Sequence, residues 1–181
     1  MDRFGTLDVV GRDNLPAGTG AVVVCNHQGW ADPMWLTYAA QPRALYFMAK
    51  KELFSNALAS WILKQSHVFP VDRSRTSSSS IKKAIDLLKT GSLVMIYPSG
   101  TRSHSATDLK RGAATIALHA GVPVIPAHYS GPDTLRGAYL FARPRIRVRF
   151  GPPIAAEADT DRAAISDFSA QIAAALAALR A

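Results

Sequence analysis

The chain has 181 residues, is 48% hydrophobic and carries a net charge of +8. That length suits one domain with a full core, and no apolar run approaches the roughly 18 residues that cross a bilayer. A single cysteine, Cys25, excludes a disulfide framework and a cysteine metal cluster, and the five histidines are scattered with no HExxH spacing.

The charge is unevenly placed. Residues 43–149 hold 17 Lys/Arg against 5 Asp/Glu, whereas the remainder hold 4 against 8. A basic middle points to an anionic partner: phosphates, a membrane surface or nucleic acid. The start, MDRFGTLDVV, lacks the apolar stretch of a signal peptide, so the expected setting is reducing and cytoplasmic.

In chain order, the β-branched run at 22–25 predicts a buried strand. Asp32-Pro33 then opens a helix to about residue 41, with Asp32 as candidate N-cap and Pro33 at the first helical position. Residues 45–48 suggest a second strand, and apolar residues at 54, 57, 58, 61 and 62 give a helical stripe over 53–65. Residues 67–71 are extended. The polar run SRTSSSS (74–80) leads directly into IKKAIDLLKTG, which predicts a loop with a serine cap and a helix stopped by Gly91. A strand at 93–97 precedes the turn PSG. A helix at about 109–119 ends at Gly121, and strands follow at 122–127 and 145–150. An alanine-rich helix covers about 161–179. Strands alternating with helices predict a single α/β domain over 1–181, with a mixed, largely parallel sheet flanked by helices.

In such sheets the reactive groups stand beyond the strand ends, where His27, Ser99-Gly100 and His128-Tyr129 fall. His27 and Asp32 lie in NHQGWADP. Five residues apart, they point to opposite faces of a strand and about 140° apart on a helix, at ~100° per residue. A curled loop, eased by Gly29, would bring them together. Asp32 would then hold one ring nitrogen of His27 and leave the other bare, as a general base requires. The plain alternative is that Asp32 caps its helix and His27 is a loop histidine.

Further blocks follow in order: FPVDR (69–73), YPSGTRS (97–103), LKRG (109–112) and VPVIPA (122–127). With NHQGWAD, this order over about residues 6–152 resembles the 1-acylglycerol-3-phosphate acyltransferase family. That family's signature is a histidine, four residues, then an aspartate, followed by a VDR-like segment, a block usually ending PEGTRS, and a proline-bearing apolar strand. The resemblance implies acyl transfer from acyl-CoA or acyl carrier protein to a hydroxyl of a lysophospholipid or related acceptor. His27 would be the base, Asp32 its support, and no cofactor or metal would take part.

Arg73 and Arg102 are then candidate phosphate clamps, since a guanidinium fork suits bidentate contact; otherwise they are surface arginines beside Asp72 or Asp108. Ser99, Gly100 and Thr101 complete the acceptor turn, and Lys110 and Arg111 lead into a helix N-terminus suited to anions. Backbone N–H groups near Gly29 or Gly100 would stabilise the oxyanion. One departure stands out: Ser99 replaces the family's glutamate, which is tied to acceptor binding.

Three rival readings stay open. Ser99 with His27 and Asp32 would make a hydrolase triad, but YPSGT is not the G-x-S-x-G elbow. Nucleic-acid binding would suit the high charge, yet no nucleic-acid-binding signature is present and none is expected as a partner. The same fold could instead hold acyl chains without turnover, against which the intact His27 and Asp32 argue. RPRIRVRF (143–150) places Arg143, Arg145, Arg147 and Arg149 on one strand face. That stripe is either a solvated edge or a contact for anionic lipid on the inner face of a membrane.

Overall fold

Runs of small and β-branched residues with no polar side chain among them can be buried from both sides, and they set the centre of the sheet here. The computed structural model describes residues 6–29, 31–71, 78–97, 106–134, 144–157 and 159–180. The strands are β1 (Thr6–Val10), β2 (Ala21–Cys25), β3 (Leu45–Lys50), β4 (Val68–Val71), β5 (Leu93–Ile96), β6 (Val124–Ser130) and β7 (Arg145–Phe150). They form one sheet in the order β1-β7-β6-β2-β5-β3-β4. Every neighbouring pair is parallel except β6 with β7.

β2 is buried along its whole length. Its Ala21, Val23 and Cys25 face one core cluster, and Val22 and Val24 face the other. Each fully buried valine stabilises the fold by about 1.5–3 kcal/mol. α1 (Asp32–Ala40) packs Leu36, Ala39 and Ala40 on the first side. α3 (Ser78–Lys89), α4 (Ala106–Ala120) and α5 (Arg162–Ala178) cover the second with Ala84, Leu88, Ala113, Ala117, Phe168 and Ile172. α2 (Ala57–Gln65) lies against β4. This is the single α/β layer arrangement that strand–helix alternation predicts.

One strand was unexpected, and three local expectations are corrected. β1 was not foreseen: TLDVV is a short strand at the edge of the described sheet, and its neighbour there, β7, is 139 residues away at Asp8–Arg147. The stripe at 53–65 is not one helix. Lys51–Phe54 form a 3-10 turn, and Asn56 restarts the chain as α2 by accepting the Leu58 N–H at 2.9 Å. β6 runs from Val124 to Ser130, so His128 and Tyr129 lie within a strand rather than after it. Asp32 does not cap α1. Ala31 takes the N-cap position in helical backbone with no side-chain bond, and Asp32 is the first helical residue.

Candidate functional site

β2 hydrogen-bonds to β5 on one side and β6 on the other, so three carboxyl ends open at one edge. The helix after β2 packs on one face of the sheet and the helix after β5 on the other. A crevice between strands whose connections part in this way is where α/β sheets bind ligands. His27 follows β2 and Tyr97 follows β5, so they flank that crevice.

The loop is organised around one carboxylate. Asp32 is fully buried. Its Oδ2 accepts the Gln28 N–H at 2.7 Å, the Gly29 N–H at 3.2 Å and His27 Nδ1 at 2.9 Å. Its Oδ1 accepts the Tyr97 hydroxyl at 3.1 Å. Four donors compensate the burial of a charge that would otherwise be costly. This is why Asp32 does not cap its helix: the carboxylate turns back to cap the loop. Its negative charge still lies in the first turn of α1, where the helix dipole favours it.

The tautomer of His27 follows from its partner. A carboxylate only accepts, so Nδ1 carries the proton and Nε2 keeps its lone pair. The His27 side chain is 39% exposed, whereas Asp32 is not exposed at all. The imidazole stacks on the Tyr97 ring with centroids 4.4 Å apart and planes at 30°. Burial first, then the charge of Asp32, pushes the Tyr97 phenol far up, so Tyr97 stays an O–H donor. The same two causes push the Cys25 thiol up, leaving it no thiolate for nucleophilic chemistry.

Two further links fix the loop. The Asn26 amide bonds both backbone groups of Tyr129, at 2.9 Å to its carbonyl and 2.7 Å from its N–H, extending the β2–β6 ladder by a side chain. The Ala31 N–H donates to the Asp133 carbonyl at 3.2 Å. Glycine at position 29 is needed for closeness rather than for backbone freedom: a Cβ there would lie 2.0 Å from the Asp133 carbonyl oxygen. The N–H groups of Gln28, Gly29 and Ala31 are therefore occupied by partners within the fold.

His27 and Asp32 are thus brought together. Arg73, Ser99, Gly100, Thr101 and Arg102 lie outside the described residues, as does Trp30. Lys110 and Arg111 do not lead into a helix N-terminus as expected: α4 already begins at Ala106, so both lie within the helix, with Arg111 exposed and the side chain of Lys110 outside the described residues. On β7, Ile146, Val148 and Phe150 are buried and Arg145 and Arg147 exposed, as the alternation predicts. The stripe is partly engaged, however. Arg147 pairs with Asp8 at 2.8 Å, and Arg149 donates to the Leu179 carbonyl at the end of α5 at 3.3 Å. Arg143 lies outside the described residues. His128, opposite Arg149, is held below the usual imidazole range by burial, then by Arg149 and Arg180. Among the described residues no three His, Cys, Asp or Glu side chains gather to hold a metal ion.

Sequence reasoning assigned no role to Asn26 or Tyr97. The aromatic at the end of a strand carries no local sign that its hydroxyl reaches an aspartate 65 positions away.

The acyltransferase family's sequence profile matches residues 6–130. The chain is 44% identical to the 1-acyl-sn-glycerol-3-phosphate acyltransferase of Bacillus subtilis over 150 residues, covering 83% of this chain and 74% of that one. It is also 44% identical to the enzyme of that name from Streptococcus pneumoniae over 135 residues, 74% of this chain and 49% of that protein. The match therefore spans about three quarters of the Bacillus relative but only about half of the Streptococcus one. Among solved structures, PlsC from Thermotoga maritima, a 1-acyl-sn-glycerophosphate acyltransferase, superposes with a TM-score of 0.68 at 23% identity. That likeness covers 98% of this chain and 73% of the other, and it speaks for the fold.

Proposed function

Because the chain belongs to the acyltransferase family, and within it to the 1-acyl-sn-glycerol-3-phosphate acyltransferases, we propose that it moves a fatty acyl group from a thioester donor to a lysophospholipid hydroxyl. The donor is acyl-CoA or acyl carrier protein, and no cofactor takes part. The observation that carries the mechanism is the 2.9 Å contact between His27 Nδ1 and buried Asp32, which leaves Nε2 as the unprotonated nitrogen of a partly exposed ring.

Nε2 takes the proton of the acceptor hydroxyl as its oxygen attacks the thioester carbon. The tetrahedral oxyanion collapses, the C–S bond breaks, and the departing thiolate takes the proton from the imidazolium. Ester and free thiol are the products, and the imidazole is restored. A thioester is already activated, so no covalent enzyme intermediate is required. A positioned base contributes about 10²–10⁴-fold to such a step. The oxyanion donors are backbone N–H groups near Gly29 or Gly100; the engagement of the Gln28, Gly29 and Ala31 N–H groups favours the turn around Gly100. Arg73, Arg102, Lys110 and Arg111 supply the positive charge for the acceptor phosphate.

Among the described residues no helix is long and apolar enough to cross a membrane. We place the protein peripherally on the inner, cytoplasmic face, where a net +8 chain meets anionic lipid. Ser99 makes the acceptor class the open variable. A family-like carboxylate there would orient or repel the acceptor beside Arg102; a hydroxyl does so more weakly.

The test is thiol release from one acyl-CoA with a panel of lysolipid acceptors, 1-acylglycerol-3-phosphate included, on the native chain, His27→Ala and Ser99→Glu. Loss of release with His27→Ala, and a shift of acceptor preference of roughly ten-fold with Ser99→Glu, the size of a charged hydrogen bond, are expected. An acyl-enzyme trapped on Ser99 would instead favour a serine nucleophile.

A further inference from the structure

Tyr97 meets the dyad twice with one side chain. Its hydroxyl donates to Asp32 Oδ1 at 3.1 Å, and its ring lies 4.4 Å under the imidazole of His27. On the β3 side Phe47 packs against Tyr97 in turn, with centroids 6.4 Å apart and planes at 26°. Phe47 is buried in the core beneath α1. Three rings thus form a stack from the hydrophobic core to the partly exposed histidine.

We propose that Tyr97 is a positioning residue of the reaction, the third member of a Tyr–Asp–His unit; this rests on His27 being the base. The two oxygens of Asp32 divide the labour. Oδ2 gathers His27 and the two loop N–H groups, while Oδ1 is left for the phenol. A hydrogen bond at Nδ1 alone leaves the imidazole free to tilt about that bond. The flat face of Tyr97 removes that freedom and aims Nε2 into the crevice. When the ring gains the acceptor's proton it becomes a cation above an aromatic face, within the ~6 Å at which such pairs attract. The hydroxyl has a separate effect. By donating to Oδ1, it fixes the carboxylate so that Oδ2 stays aimed at His27 Nδ1.

Tyr97→Phe separates these roles, because it keeps the stack and removes the O–H. Asp32 is then anchored through Oδ2 alone, and its hydrogen bond to His27 Nδ1 loosens. At neutral pH kcat falls roughly three- to ten-fold, the size of one lost hydrogen bond, with KM for the acceptor little changed. The His27 Nδ1–H signal, assigned by its loss in His27→Ala, is followed by imidazole NMR, which reads the strength of its bond to Asp32 without turnover; its chemical shift is expected to move in Tyr97→Phe. Tyr97→Leu removes stack and hydroxyl together and loses more of kcat. Thermal melts of both variants identify any loss that merely follows unfolding. A His27 Nδ1–H signal in Tyr97→Phe that coincides with the native one overturns the proposal, whatever the rates do. Retention of more than a tenth of the activity in His27→Ala is a different result: it removes His27 as base and leaves the NMR measurement on Tyr97 standing.

Discussion

The loop at residues 26–32 and strand β7 are the two places where charged side chains stand out along this chain, and they use charge in opposite ways. In the loop a single buried carboxylate collects four donors, and the result is one nitrogen with a defined lone pair. In β7 the basic side chains alternate along an exposed face. Arg147 finds Asp8 and Arg149 finds the end of α5. The loop has few charges and converts them into direction. The strand has many, and part of that charge goes into holding an edge strand and a helix terminus. Conspicuous charge in a sequence therefore says less about chemistry than burial and hydrogen-bond accounting do.

That contrast can be broken most severely at His27. His27→Ala should lower acyl transfer by about 10²–10⁴-fold with the melting temperature nearly unchanged, since the ring is partly exposed. Asp32→Ala should cost both activity and stability. It leaves the Gln28 and Gly29 N–H groups and the Tyr97 hydroxyl unpartnered, at about 1–3 kcal/mol for each group that water cannot reach. Denaturant titration separates that loss from the catalytic one, and an Asp32→Ala protein as stable as the native would deny the carboxylate its organising role.

Next in size is Gly29→Ala. The new methyl would meet the Asp133 carbonyl, so one of the two segments must move. Overpacking of this kind costs about 1–3 kcal/mol, and transfer should fall along with the melting temperature.

Smaller effects are expected from β7. Replacing Arg145, Arg147 and Arg149 with glutamine should weaken binding to anionic vesicles only modestly. Loss of the Arg147–Asp8 pair, exposed on both sides, should cost about 0–1 kcal/mol. If vesicle binding vanished, the stripe would be the membrane contact after all.

The smallest effect belongs to His128. Burial, Arg149 and Arg180 lower its folded pKa, so between that value and the ordinary one near 6.5 the unfolded chain binds more protons. Stability is therefore lost as the pH falls through that window. His128→Gln should flatten this acid-side loss and leave stability above pH 7 unchanged.

Much of the architecture is legible in local pattern. The runs at 22–25 and 93–96 are apolar without interruption because both faces of β2 and β5 are covered. The serine run before IKKAIDLLK does open a helix, at Ser78. Where pattern failed, the decisive partner was distant or small. β1 owes its place to β7, and the start of α2 to the side chain of Asn56. The site divides in the same way. Histidine and aspartate five apart are visible to spacing rules, and their contact is made within one loop. The contribution of Tyr97 is invisible to such rules because its hydroxyl bond and its stack exist only once β5 lies beside β2. The placement of Asn26 likewise depends on β6 arriving alongside.

The close approach of Gly29 to Asp133, together with the pair of hydrogen bonds between the Asn26 amide and the Tyr129 backbone, bears on how such a loop could be transplanted. The motif NHQGWAD is contiguous, but its shape is held by a second segment at residues 129–133, about a hundred positions further along. Grafted into another parallel sheet by itself, the heptapeptide would carry its histidine and aspartate without the carbonyl and strand that curl it. The transferable unit is a pair of segments on adjacent strands. A recipient scaffold must offer a neighbour whose backbone comes close enough to exclude a single methyl group.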